Sequence, residues 1–291
     1  EWALELYRSH GYAAAFESLT ADSQVAAIAK YPCNFPVLER SLGVIVHSEH
    51  SVRLAESWYG QGVADDWKVI PLLRAPNVRT DRESARAALG LSKQDFVVCT
   101  YGHVHPTKLS HRLLEAWISS SLARGGNCYL FFVGENHAGQ YGIDLHARIN
   151  EAGVDDRVRV VGWSDSESFN RYLAAADVAV QLRALSRGET SASVLDCMNN
   201  GLATIVNANG SMADLDPSAV FLLPDDFDDA ALVDALERLH SDSGLRSRIS
   251  NRAKTVIVSQ HPPHACAKAY FDAVESQYAL QVDGPLALAE G

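Results

Sequence analysis

The chain has 291 residues, enough for two domains at about 150 residues each. Its 47% apolar and 21% charged residues are those of a folded protein with a sizeable core, which excludes a disordered, collagenous or coiled-coil chain. A net charge of −11 argues against nucleic-acid wrapping and against anchoring to an anionic membrane, while backbone N–H groups and single lysines still allow a phosphate ligand.

Residues 1–75 hold one helical stretch and then a strand–helix–strand with the β-rich runs GVIVHS (43–48) and KVIPL (68–72). That is too little for a complete core and reads as the end of a preceding α/β domain. The opening Glu1-Trp2, without Met or a signal peptide, leads us to expect a piece of a longer polypeptide. Residues 76–95 carry polar turns and one short helix. From Phe96 onward the runs FVVCTYG (96–102), CYLFFVG (128–134), RVRVVGW (157–163), DVAVQLR (177–183), LATIVN (202–207) and AVFLLP (219–224) alternate with helical stretches at 110–125, 144–153, 166–176, 191–201 and 229–242. Continuous Val/Ile/Leu strands separated by helices predict a parallel sheet covered on both faces. Residues 245–276 read as helical, and the chain from about Gln281 as a tail. The expected division is 1–90 as the end of the first lobe, 91–245 as a Rossmann-like lobe, and 246–291 as C-terminal helices and tail.

The five cysteines (Cys33, Cys99, Cys128, Cys197, Cys266) are scattered and form no C-x-x-C. Cys99, Cys128 and Cys197 lie in apolar stretches, where a free thiol acts as a small hydrophobe, and a reducing cytosol is the expected compartment.

Ligands of open α/β sheets sit at the carboxyl ends of the strands. The run ending at Tyr101 continues as Gly102-His103-Val104-His105-Pro106-Thr107-Lys108. Here the glycine allows a sharp turn, and the lysine offers a point charge to a phosphate. Taken alone, Lys108 also fits a surface lysine before a helix. After the run ending at Arg183 comes Arg187-Gly188-Glu189-Thr190-Ser191-Ala192-Ser193-Val194-Leu195-Asp196. Small residues at a helix start expose unpaired N–H groups to an anion. Glu189 and Asp196, two helical turns apart, would reach one polyhydroxyl ligand; the alternative is a helix cap with a solvated Asp. Val161-Gly162-Trp163 offers backbone atoms to a base, although Trp163 by itself reads as a packing residue. His47, His50, His103, His105 and His111 lack tight ligand spacing, so no zinc site is expected. Ser191 and Ser193 sit in no G-x-S-x-G elbow, and no G-x-G-x-x-G follows a strand, which disfavours a serine hydrolase and a Rossmann dehydrogenase.

In their order these motifs resemble the retaining glycosyltransferases of family 4, which have the two-lobed GT-B fold. TYGHVHPTK resembles the family's strand–G-R-x-x-P-x-K turn. LFFVGE, DDRVRVVGW and YLAAADVAVQLR resemble the strands and the base-binding loop that follow. GETSASVLDCMNNGLATIVNANGS resembles the acidic E-x7-E block and its continuation. The likeness runs from residue 43 to about 275.

The resemblance implies an α/β, GT-B type fold: a doubly wound Rossmann-like lobe behind the end of a preceding lobe. It implies a donor site in which Lys108 contacts the diphosphate and Gly102 gives close backbone approach. Val161, Gly162 and Trp163 would frame the base, Asp196 would hold the ribose, and Glu189 would face the donor sugar. The N–H groups of Thr190, Ser191 and Ala192 would cradle the β-phosphate. Glu189 and Lys108 would carry catalysis. His103, counted among the donor-binding residues, stands where the family usually has Arg, which leaves its phosphate contact open. The acidic block also departs from the pattern: Gly188 lies eight residues before Asp196, and Glu189 one step later, so the loop is rearranged or the first carboxylate is lost. The family's acceptor-lobe histidine would lie upstream of Glu1, and neither His47 nor His50 is assigned that role. The implied activity is transfer of a hexosyl unit from a GDP- or UDP-sugar to a glycan or lipid-linked acceptor, with retention, in bacterial surface polysaccharide or lipopolysaccharide biosynthesis. No metal or other cofactor is expected. The place would be the cytoplasm, with peripheral membrane association through the rest of a longer polypeptide. A nucleotide-sugar 2-epimerase and a donor-binding lobe without turnover of its own are the alternatives.

Overall fold

A computed structural model describes residues 2–76 and 80–282. In chain order its elements are α1 (Trp2–Glu17), α2 (Ala21–Lys30), α3 (Phe35–Glu39), β1 (Ile45–Val46), α4 (Glu49–Tyr59), β2 (Lys68–Val69), α5 (Arg82–Ala88), β3 (Phe96–Tyr101), α6 (Ser110–Ser119), β4 (Cys128–Val133), α7 (Gln140–Glu151), β5 (Val158–Val160), α8 (Ser166–Ala175), β6 (Val178–Gln181), α9 (Ala192–Asn199), β7 (Ala203–Asn207), β8 (Phe221–Leu223), α10 (Asp229–Ser241), α11 (Ser243–Gln260) and α12 (Pro263–Val282). Every β-rich run of the sequence contains a strand. The expected tail from Gln281 lies mostly outside the described residues.

The chain divides into two compact units. The first comprises residues 1–72, 187–189 and 263–291, the second 73–186 and 190–262. In the first unit β1 and β2 pair in parallel, Ile45 opposite Lys68 and Val46 opposite Val69. Among the described residues its buried side chains are few and small apart from Leu6 and Ile70, and Cys266 and Ala273 of α12 pack on Ile70.

The second unit holds a six-stranded, all-parallel sheet in the order β5-β4-β3-β6-β7-β8. Successive residues of one strand point to opposite faces, and both faces are buried. Val98, Leu130 and Phe132 join Leu113, Leu114 and Trp117 of α6 and Leu232, Leu236 and Leu239 of α10. Val97, Cys99, Tyr101 and Phe131 join Ala85 of α5, Leu173 of α8 and Cys197 of α9 on the other side. Aspartates close the helix starts: Asp165 accepts the Ser168 N–H of α8 and Asp228 the Ala231 N–H of α10, at 2.8 and 2.7 Å. All five cysteines are free, and burial drives the Cys99 thiol up to about 12, so it behaves as a hydrophobe.

The first unit ends at Leu72, and a long-range contact invisible to local pattern fastens α5 to the second unit. Arg86, 4% exposed, donates to the Ala175 carbonyl at 2.8 Å and pairs with Asp177 at 3.4 Å. The C-terminal helices do not form one segment. Ile249, Ala253, Val256 and Ile257 bury α11 in the second unit, whereas α12 groups with the first.

Candidate functional site

Strand order reverses between β3 and β6, so the carboxyl ends of these two strands flank the crevice where open α/β sheets bind ligands. On the β3 side Gly102 has a φ of 105°, and its N–H donates to Val133 at 3.0 Å. The turn Pro106–Lys108 is a single 3-10 turn, closed by the Lys108 N–H on the His105 carbonyl at 2.9 Å. Leu109 follows in the left-handed region, φ 52°, the one non-glycine there among the described residues. Such a conformation costs about 1 kcal/mol or more and is held only by well-determined surroundings. On the β6 side the Ala184 N–H donates to the Thr107 carbonyl at 3.0 Å and ties the two walls together.

Three imidazoles gather at the β3 end. The rings of His103 and His105 lie 5.9 Å apart, His105 and His137 5.2 Å, and His103 and His137 6.3 Å. His137 reaches this place because the loop after β4 closes tightly. A Cβ on Gly134 would overlap the Gly102 carbonyl, and one on Gly142 would overlap the carbonyl of His137 itself. Burial lowers the pKa of His105, helped by the neighbouring charges of His137, His103 and Lys108. Among the described residues no group of three or more His, Cys, Asp or Glu has the arrangement to hold a metal ion. His47 belongs to the first unit, its Nδ1 2.8 Å from the Ile70 carbonyl. His111 contacts the Tyr141 hydroxyl.

Across the crevice α9 begins at Ala192, and its N-cap residue, Ser191, makes no side-chain capping bond. The Ser191 hydroxyl instead accepts from the guanidinium of Arg183 at 3.0 Å. Arg183, 8% exposed, is fixed at the β6 end by Asn207, which takes its N–H and gives to its carbonyl, each at 2.8 Å. The Thr190 hydroxyl is buried with no hydrogen-bond partner among the described residues. Asp196 is not a solvated aspartate: its carboxylate is 3.0 Å from Arg74 Nε, and Arg74 also donates to the Ala192 carbonyl at 2.9 Å. Burial raises the Asp196 carboxyl above its ordinary value, and the Arg74 charge opposes the rise. Beside this pair opens a cavity of about 460 Å³, lined by Arg74, Ser164, Phe169, Asn170, Asp196 and Asn199.

Val161 continues the ladder past β5, its N–H on the Phe132 carbonyl at 2.8 Å, and Gly162 turns the chain. Trp163 is 77% exposed, which corrects the packing role that its residue type alone suggested. Glu189, with Arg187 and Gly188, belongs to the first unit. Its carboxylate accepts the Arg187 N–H at 2.7 Å, folding the acidic block into a tight turn.

The structure thus brings the Gly102–Lys108 turn and the Thr190–Asp196 stretch to one end of one sheet. Sequence reasoning missed His137, Arg183 and Arg74. His137 could have been found by asking what each strand end carries, since it lies four residues past β4. Arg183 closes its strand run, a second place to look. Arg74 sits in an extended segment and gave no signal.

The sequence pattern of the family described as "Glycosyl transferases group 1" matches residues 81–256. A curated relative, the lipopolysaccharide core biosynthesis glycosyltransferase LpsE of Rhizobium meliloti (strain 1021), is 28% identical over 193 residues, covering 66% of this chain and 53% of its own length. The chain therefore spans about half of that relative. Sucrose-phosphate synthase from Thermosynechococcus elongatus superposes with a TM-score of 0.73 at 19% identity, over 96% of this chain and 67% of its own. Anabaena HepE, in a complex with UDP and glucose, gives 0.70 at 17% identity over 89% and 68%. Among the described residues no helix is long and apolar enough to cross a membrane. With its six-stranded parallel sheet and these structural neighbours the fold is of the GT-B type, and the chain belongs to the glycosyl transferases group 1 family.

Proposed function

We propose that this protein transfers a hexosyl unit from a UDP- or GDP-sugar to a glycan or lipid-linked acceptor, with retention of configuration, in bacterial lipopolysaccharide or surface polysaccharide biosynthesis. The observation that carries the reading is the switch-point crevice, with the Lys108 turn on one wall and the start of α9 on the other. A diphosphate leaving group develops negative charge as the glycosidic bond breaks. An ammonium and a set of fixed backbone N–H groups stabilise that charge without reorganising. Lys108 would contact the diphosphate, with Gly102 allowing close approach and His103 beside it. The N–H groups of Thr190, Ser191 and Ala192 would receive the β-phosphate. Asp196, steadied by Arg74, would hold the ribose hydroxyls, Val161 to Trp163 would frame the base, and Glu189 would meet the donor sugar. No metal is required in this scheme, since lysine and helix dipole supply the positive charge. The similarity to LpsE supports the lipopolysaccharide setting, and that to HepE, crystallised with UDP, supports a uridine or related nucleotide. We place the enzyme in the cytoplasm, peripheral to the membrane that carries its acceptor.

The test is a thermal-shift panel of UDP- and GDP-sugars in EDTA, followed by product analysis with the full-length enzyme. A donor at 100 times its Kd should stabilise the fold by about 2.7 kcal/mol. A glycoside formed on an acceptor with the donor's anomeric configuration supports the reading. An epimerised free sugar, or no stabilisation by any nucleotide sugar, overturns it.

A further inference from the structure

We propose that His105 and His137 bind the nucleotide's diphosphate as neutral hydrogen-bond donors, each locked by the backbone into the tautomer that carries its proton on Nε2. This rests on the reading of the β3 turn as the diphosphate site. In both rings a backbone N–H donates to Nδ1: Thr107 to His105 at 3.2 Å, with the Thr107 hydroxyl also 2.9 Å from that nitrogen, and Gly139 to His137 at 3.0 Å. A ring nitrogen that accepts a hydrogen bond carries no proton, so the neutral imidazole bears its hydrogen on the other nitrogen. Among the described residues neither Nε2 has a hydrogen-bond partner, and the two rings stand 5.2 Å apart beside Lys108. Two donors so placed suit an anion with several oxygens.

The surroundings of His105 also oppose protonation. A proton on its Nδ1 would break the bond from the Thr107 N–H. His105 is faced by Lys108 from its own turn, by His103 from the strand end, and by His137 from the loop after β4. His137 is faced by the Tyr141 ring of α7 at 5.8 Å, and the Tyr141 hydroxyl is 3.0 Å from His111 Nδ1. Glu135, in the same loop, takes the Val104 N–H on its backbone carbonyl. Burial and the neighbouring positive groups hold His105 below its ordinary value. Lys108 thus supplies the charge and the imidazoles supply direction, so the site keeps all its donors above neutral pH.

Asparagine separates the two jobs of each ring. Its Oδ1 takes the place of Nδ1 and keeps the turn, while the Nε2–H donor is lost. UDP and GDP affinities of the full chain should be measured calorimetrically in EDTA between pH 6 and 8 for the wild type, His105→Asn, His137→Asn, the double variant and Lys108→Ala. Each Asn variant should weaken the diphosphates about tenfold, as expected for a hydrogen bond to a charged group, and the double variant more. Uridine and guanosine binding and the melting temperature should stay put. Wild-type affinity should be flat above pH 7, and side-chain ¹⁵N spectra should show both rings as the Nε2–H tautomer, a readout that needs no variant to fold. If the Asn variants bind normally while Lys108→Ala is weakened, the inference fails and the site reading stands. If all variants bind normally, the site reading itself fails. An affinity that falls tenfold per pH unit above 7 would mean imidazolium ligands, and binding lost in EDTA would mean a metal; either overturns the proposal.

Discussion

The wall of the crevice after β3 is a turn, and the wall after β6 is a helix start. The turn carries a lysine and three histidines on side chains that reach out from Gly102 to Lys108 and from the loop after β4. The helix start offers backbone N–H groups, and its carboxylate, Asp196, is held from behind by Arg74. One wall therefore presents positive charge and N–H donors, the other fixed dipoles and an acceptor for hydroxyls. In the proposed reading the diphosphate spans both walls, while the ribose hydroxyls meet Asp196 on the α9 wall alone.

Removing charge from the turn is the strongest way to break the contrast. Lys108→Ala should weaken nucleoside diphosphates by ~1.5–3 kcal/mol, tenfold or more, in a calorimetric titration. Glu189 tests whether the rearranged acidic block still serves the donor sugar. Glu189→Gln in the full-length enzyme should lower turnover about tenfold, ~1.4 kcal/mol of barrier, with little change in melting temperature. A lowered melting temperature with normal turnover would assign Glu189 to the turn it makes with Arg187. Asp196→Ala should cost ~1 kcal/mol, roughly fivefold, in free nucleotide and nucleotide sugar alike, because ribose belongs to both. Intact nucleotide affinity would remove the ribose from that wall.

The smallest effect is on stability. The folded chain holds the His105 proton more weakly than the unfolded chain does. The stability associated with the neutral ring is thus present above its ordinary value of 6.5 and is lost as pH falls through the depressed one. Melting curves from pH 7.5 to 5.5 should show a downward drift on the order of a degree or two, reduced in His105→Asn.

The parallel sheet was legible because its strands are buried on both faces and read as unbroken β-branched runs. The Gly102 and Lys108 turn was legible for a related reason, since it follows such a run directly. What escaped the sequence depends on contacts between distant residues. Arg86 with Asp177 fastens α5 to the sheet that follows it, and Arg74 makes Asp196, expected to hold the ribose, half of an ion pair. His137 gains meaning only from its nearness to His105, which the close packing of Gly134 on Gly102 makes possible. For Trp163 residue type alone speaks for burial, whereas the loop after β5 leaves the ring outside.

The most direct test of the central claim is a crystal structure of the chain with UDP or GDP bound. The account expects the diphosphate between the ends of β3 and β6, within hydrogen-bonding distance of Lys108 and of the backbone N–H groups of Thr190 to Ala192, with the ribose at Asp196. A diphosphate bound anywhere else, or one whose only protein contacts are away from both walls, would contradict it.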